Sequence, residues 1–264
     1  MEEKFCISYS QVMDLCEQEI NKIQNGRVIP YFRGQSNSCW EILPSILRSE
    51  NRTEEYAKKW DNNLSAFENI AKIQHTYENK IPTRFIDFST CYKVALYFAC
   101  NENFDKDGAL FMLPYSPITE KSIYTKIICE FFNIKTDISG YDFTVKLLQQ
   151  FPNKDIHSIA SVIGAFADTG FLIHPTKEEY KTMDNYCKRI SAQKACFIVC
   201  SNKVKSRTRC SVDILNGTIT STIINSTFVA DYKFMKKYII DKNAKKTILE
   251  ELQKENITKK TLNL

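Results

Sequence analysis

Apolar residues recur along this chain at two different periods, and the switches between them outline its elements. Val12, Leu15, Cys16, Ile20 and Ile23 fall at three-to-four spacing behind Ser8 and Ser10, two residues suited to capping, which predicts an amphipathic surface helix over 8–25. The apolar approach Val28-Ile29-Pro30-Tyr31 then reads as a strand running into Phe32-Arg33-Gly34-Gln35. Residues 53–74 start on Thr53 and set Tyr56, Trp60, Leu64, Phe67, Ile70 and Ile73 on one face, predicting a long helix. Pro82 introduces a short strand over 83–87, and 90–102 read as a buried helix through Val94, Ala95, Tyr97, Phe98 and Ala99. Asp107-Gly108 marks a turn into a strand over 109–113, closed by Pro114. Beyond it the pattern is mixed, with helical stretches at 126–132, 143–151 and 156–167. The continuous apolar run over 195–200 is of strand type, further β runs lie at 218–224 and 227–229, and a helix over 242–255 turns Ile248, Leu249 and Leu252 inward.

These elements predict one α+β domain over 1–264: an N-terminal helix at 8–25, a core from 28–114 and 171–264, and a helical insertion at about 115–170. A content of 43% hydrophobic and 12% aromatic residues suffices for one sizeable core, and seven glycines and seven prolines leave no linker to divide it. The net charge is +5, with the lysines of the C-terminal end interleaved by Glu250, Glu251 and Glu255. That pattern reads as a solvated helix face rather than a nucleic-acid footprint. Ten scattered cysteines form no CxxC pair and no Cys/His cluster, so free thiols, no metal and a reducing cytoplasm are expected. The acidic start Met1-Glu2-Glu3-Lys4 does not resemble a signal peptide, and no apolar run approaches the roughly 18 residues of a membrane span, so no membrane partner is expected. The chain has no Walker loop and no G-x-G-x-x-G, which removes P-loop and Rossmann nucleotide sites, and no cysteine sits in a plausible triad.

The chemistry that remains gathers in two blocks. In the first, Arg33 offers a planar fork suited to a phosphate or carboxylate, beside Gly34, which permits close backbone approach or a positive φ. The competing reading is a structural arginine paired with a buried acid. In the second, Gln74-His75-Thr76-Tyr77 leads through Thr83-Arg84-Phe85-Ile86-Asp87 to Ser89-Thr90. His75 either hydrogen-bonds a ribose and moves protons near neutral pH, or caps the end of its helix. Arg84 and Asp87, three apart on a strand, lie on opposite faces; each is a structural anchor, a site residue, or the counter-ion of Arg33. Ser89 and Thr90 cap the following helix in a way compatible with ligand contact. Tyr97 and Phe98 belong to the core, with a pocket wall as the second reading for Tyr97.

Phe32-Arg33-Gly34-Gln35, the 40–48 segment with Trp40 and Arg48, the block from Gln74 to Ala99, and Arg189-Ile190-Ser191-Ala192-Gln193-Lys194-Ala195-Cys196-Phe197 together resemble the FRG domain family, named for its Phe-Arg-Gly motif. The likeness covers most of 28–262 except about 115–170 and extends to the closing segment around Ile248–Leu262. Thr76 breaks the family's usual His-Tyr-Gly, Phe88 replaces a common tryptophan, and Ala195 replaces a usual glycine. The motif order is also similar to the Arg, Ser-Thr-Ser, Glu plan of ADP-ribosyltransferases, which implies a split, mostly antiparallel β core with peripheral helices. By that resemblance Arg33, Gly34, Gln35, Arg84, Ser89 and Thr90 hold NAD as substrate, and His75, Asp87 and Gln193 stand at the catalytic positions, Gln193 where the plan has a glutamate. The implied activity is ADP-ribosyl transfer or NAD glycohydrolysis in a toxin or phage-defence setting, with a protein acceptor preferred over nucleic acid. The alternative is a non-catalytic module that binds a nucleotide or a protein in the same cleft.

Overall fold

The computed structural model describes residues 3–23, 28–49, 61, 64, 66–75, 82–115, 118–119, 127, 130–131, 134, 136–160, 163, 171–175, 181, 188–206, 222–229 and 235–264. Strand β1 (Glu3–Cys6) precedes helix α1 (Tyr9–Lys22), which Ser8 caps by accepting from the Gln11 amide. Strand β2 (Ile29–Gln35) follows, then the short α2 (Ser45–Arg48), α3 (Ala66–His75), β3 (Phe85–Ser89), α4 (Tyr92–Cys100) and β4 (Gly108–Tyr115). The middle of the chain supplies β5 (Ile118–Thr119), β6 (Ile138–Ser139), α5 (Gly140–Gln150) and β7 (Phe171–His174). The last third holds α6 (Lys188–Ala192), β8 (Ala195–Val199), β9 (Ser201–Ser206), β10 (Thr222–Val229), β11 (Lys236–Ile240), a single 3-10 turn at Lys242–Ala244, and α7 (Lys245–Lys254).

Eight strands form one sheet in the order β1-β11-β4-β2-β3-β8-β7-β5, and β6, β10 and β9 form a second of three. The large sheet is antiparallel except for its two outermost pairs, β1 with β11 and β5 with β7. Alternate residues of each strand feed opposite faces, as a period of two requires. On β4, Leu110 and Met112 join Val12, Val94, Leu96, Ile248 and Leu252 beneath α1, α4 and α7. Ala109, Phe111 and Leu113 turn the other way and meet Ile86, Phe88 and Ile198. A third cluster gathers Phe85, Phe197 and Val199 of the sheet with Phe67, Phe131 and Phe143 from the helical side.

The predicted strand over 83–87 is observed two residues later, and the helix over 90–102 is shorter at both ends. Pro114 does not close β4: pairing of β4 with β11 already ends at Met112, so its missing N–H breaks no ladder on that side, and it faces Pro30 of β2. The described part of the run at 218–224 and the run at 227–229 belong to the one strand β10, whose register against β9 shifts between Ile224 and Phe228, and 218–221 lie outside the described residues. Of the helix predicted over 53–74, the described part is α3. Of the three helical stretches between 115 and 170, the one at 143–151 corresponds to α5, the one at 156–167 is helical at 156–160 and 163 with the rest outside the described residues, and the one at 126–132 falls largely outside them. Among the described residues no helix is long and apolar enough to cross a membrane.

Candidate functional site

The site begins with the close packing of β2 on α4. A Cβ built on Gly34 would stand 1.8 Å from the Ala95 carbonyl oxygen and 2.6 Å from the Ala99 amide nitrogen, so only glycine lets the strand lie against the helix. That contact fixes the neighbouring residues of β2. Arg33 donates from Nη1 to the Asp87 carbonyl at 2.7 Å, which ties the guanidinium to β3. Gln35, 8% exposed, donates from Nε2 to the Glu41 carbonyl at 3.4 Å and keeps a buried Oε1 that accepts no hydrogen bond.

Strands β2 and β3 share one registered pair, Phe32 with Ser89, whereas β2 and β4 share seven. A pocket of about 160 Å³ lies between them, with Phe32 and Phe98 as its aromatic side chains and Asp87, Ser89 and Gln193 on its polar side. A second cleft of about 730 Å³ opens beside it, carrying Trp40, Arg48, Asn101, Glu102 and Lys259. Arg33, Gly34, Phe98 and Arg189 line both, so they form the neck where the two spaces meet. An aromatic-walled recess joined through arginines to a wider polar cleft suits a ligand with a flat ring at one end and an anionic centre.

The polar side of the recess is held in place by bonds that reach across the fold. Ser89 donates its hydroxyl to the Gln193 carbonyl at 2.7 Å and accepts the Cys91 amide at 3.0 Å. Cys91, not Ser89 or Thr90, is the N-cap residue of α4, and Thr90 acts through its backbone, donating its amide to the Lys194 carbonyl. Lys194 has φ 47°, a left-handed residue that reverses the chain between α6 and β8. Gln193 is 8% exposed and spends its amide nitrogen on the Leu262 carbonyl at 3.0 Å, tying the C-terminal turn to the recess. Asp87 receives Gln74 Nε2 at 3.3 Å, while Gln74 Oε1 accepts from Thr83 at 2.6 Å, so α3 orients the carboxylate through one amide. Burial, and then the Asp87 charge, push the thiol of Cys196 well up, which leaves it a protonated core residue.

Three of the expected residues stand elsewhere. Arg84 is fully buried, bonded to Asn202 Oδ1 at 2.6 Å and to the Cys200 carbonyl at 3.3 Å, and lines neither space. Thr90 lines neither. His75 closes α3, and its side chain lies outside the described residues. Conversely, Trp40, Arg48, Gln74, Arg189 and Lys259 belong to the site or its support and were not among the expected residues. Arg189 carried a signal: it stands four residues before Gln193, and the Gln193 amide bonds to its carbonyl at 3.0 Å, one helical turn apart.

The rim of the wider cleft is anchored by a buried lysine. Lys245 is fully buried and donates to the carbonyls of Ser36 at 2.7 Å, Asn103 at 2.9 Å and Glu102 at 3.0 Å. Ser36 and Glu102 line the cleft, so α7 pins two of its loops through one ammonium, whose pKa desolvation lowers.

Residues 29–108 match the family model of the FRG domain. The matched segment runs from the first residue of β2 to the first of β4 and contains Arg33, Gly34, Asp87 and Ser89, while Arg189 and Gln193 lie beyond it. No curated protein and no solved structure matches the chain.

Proposed function

We propose that this FRG domain uses NAD as its substrate, either transferring ADP-ribose to a protein acceptor or hydrolysing NAD. The observation that carries this reading is the aromatic-walled recess of about 160 Å³ that meets a cleft of about 730 Å³ at Arg33. A nicotinamide ring fits the recess beside Phe32 and Phe98, the diphosphate lies at the neck, and the adenosine end extends toward Trp40. A kinship with the ADP-ribosyltransferase fold belongs to the same proposal. In its support, the strands that bear the three motifs, β2, β3 and β8, are consecutive in the sheet.

The reaction breaks the bond between the nicotinamide nitrogen and C1′ of its ribose, and the bonding pair leaves with nicotinamide. Positive charge gathers on the sugar, and a nearby carboxylate stabilises it. Among the described residues lining the recess that group is Asp87. The acceptor, or water, then adds to C1′ and gives up its proton to Asp87 or to solvent. Ser89 and Gln193 shape the recess, Gln35 offers an acceptor to a sugar hydroxyl, and the cytoplasm, in a toxin or phage-defence role, is the setting in which free thiols and NAD coexist.

A second reading rests on Gln193. Its amide nitrogen is already spent on the Leu262 carbonyl, and an amide carries no charge to offset the developing cation. This favours a module that binds a nucleotide without turning it over. Nicotinamide release from NAD separates the two. The wild type is expected to release it above background and Asp87→Asn to lose about a hundredfold or more of that rate. A wild type without release, yet stabilised against heat by NAD, establishes the binding module instead.

A further inference from the structure

Arg189 lies outside the FRG match, yet it lines both spaces beside Arg33. Its Nε is buried and makes no hydrogen bond, and among the described residues it takes part in no ion pair. A buried guanidinium nitrogen left unbonded costs free energy. An anion placed at the neck removes that penalty. The backbone under Arg189 is fixed by the short helix α6, whose final turn bonds Gln193 to the Arg189 carbonyl at 3.0 Å. The wider cleft adds Arg48 and Lys259 against Glu41 and Glu102, so its cations outnumber its carboxylates.

We propose that Arg189 and Arg33 form a two-arginine clamp for a diphosphate at the neck between the two spaces, selecting a diphosphate-linked ligand over a monophosphate. The clamp rests on the proposed nucleotide reading but not on turnover. A single arginine grips one phosphate group bidentately; a second, carried on α6, gives the adjoining phosphate its own partner. The buried, unbonded Gln35 Oε1 in the same cleft is an acceptor placed for a sugar hydroxyl of that ligand.

The test titrates the full chain with ADP-ribose, which carries the diphosphate but no nicotinamide, and with AMP, using wild type, Arg189→Gln and Arg189→Lys, beside thermal scans without ligand. The clamp predicts that wild type binds ADP-ribose more tightly than AMP. Arg189→Gln then loses about tenfold or more in ADP-ribose affinity while AMP affinity changes by less than about threefold, one charge-assisted bond pair being the difference. The ligand-free melting temperature stays near that of the wild type. Arg189→Lys, which keeps the charge without the fork, falls between the two and serves as the reading if the glutamine variant does not fold. The proposal is overturned if Arg189→Gln binds ADP-ribose as the wild type does, if both ligands weaken together with a lowered melting temperature, or if wild type shows no saturable binding or no preference for the diphosphate. Nicotinamide release is scored separately, so a protein that binds through the clamp without turnover leaves the clamp standing and removes only the enzyme.

Discussion

Single residues in this protein carry unequal weight, and the geometry says which. Gly34 has no room for a methyl group, because the Ala95 carbonyl of α4 would lie 1.8 Å from it. Gly34→Ala must therefore push β2 off α4, and we expect a loss of about 3 kcal/mol or more in chemical denaturation, above the ordinary cost of overpacking. The glycine of the Phe-Arg-Gly motif is in this sense a packing residue that aims its neighbour. Lys245 is the other extreme, a buried cation fully spent on three carbonyls. Lys245→Met leaves those carbonyls without their donor and is expected to cost about 2–4 kcal/mol. Because the carbonyls of Ser36 and Glu102 belong to the cleft rim, the same variant should weaken nucleotide binding as well, which titration of the folded variant measures. Trp40 is 49% exposed in the wider cleft and is one of two tryptophans in the chain. In a Trp60→Phe background its emission should be quenched by NAD, and an unchanged spectrum at saturating NAD would place the adenosine end elsewhere.

Between elements, the clearest electrostatic joint ties α1 to β11. Glu19 is 4% exposed on α1 and accepts from Lys236 of β11, and from Lys22 at 3.0 Å. Burial by itself raises the carboxyl, but the bonds from the two lysines outweigh it and hold the folded-state pKa below the usual value. A carboxylate lowered on folding contributes stability above its unfolded pKa, near 4.5, and loses it as the pH falls through the folded value. Glu19→Gln should thus cost about 1–2 kcal/mol at neutral pH, a modest figure because both lysines are partly exposed, and progressively less as the pH falls below 4.5. Thermal unfolding across that range measures the convergence. The same pair of elements shows where sequence reading stops. Helix α1, β2, α4 and the β8 strand were legible because each has a strong period or an unbroken apolar run. Strands β1 and β11 were not, since Glu3–Cys6 and Lys236–Ile240 are short and find each other only through a parallel pairing across nearly the whole chain. Strand β9, Ser201–Ser206, has a largely polar sequence and no alternation to betray it. In the site, Arg33, Asp87, Ser89 and Gln193 were readable from motifs and do line one recess. Arg84 misled because a motif arginine and a core arginine look alike in one dimension, and its partners Cys200 and Asn202 lie 116 and 118 residues away.

At the scale of the whole molecule, one mostly antiparallel sheet places β2, β3 and β8 side by side and leaves a recess where β2 and β3 share a single registered pair. Helices α4 and α6 complete its walls, and Lys259 and Leu264 of the C-terminal turn line the wider cleft beside it. The central claim is that this neck and recess hold NAD. The most direct measurement is a crystal structure of the protein with NAD bound. The account predicts the nicotinamide ring beside Phe32 and Phe98 in the recess, the diphosphate within hydrogen-bond distance of Arg33, and the adenine beyond the neck toward Trp40. NAD bound at another surface, or a neck left without phosphate density at saturating NAD, contradicts it.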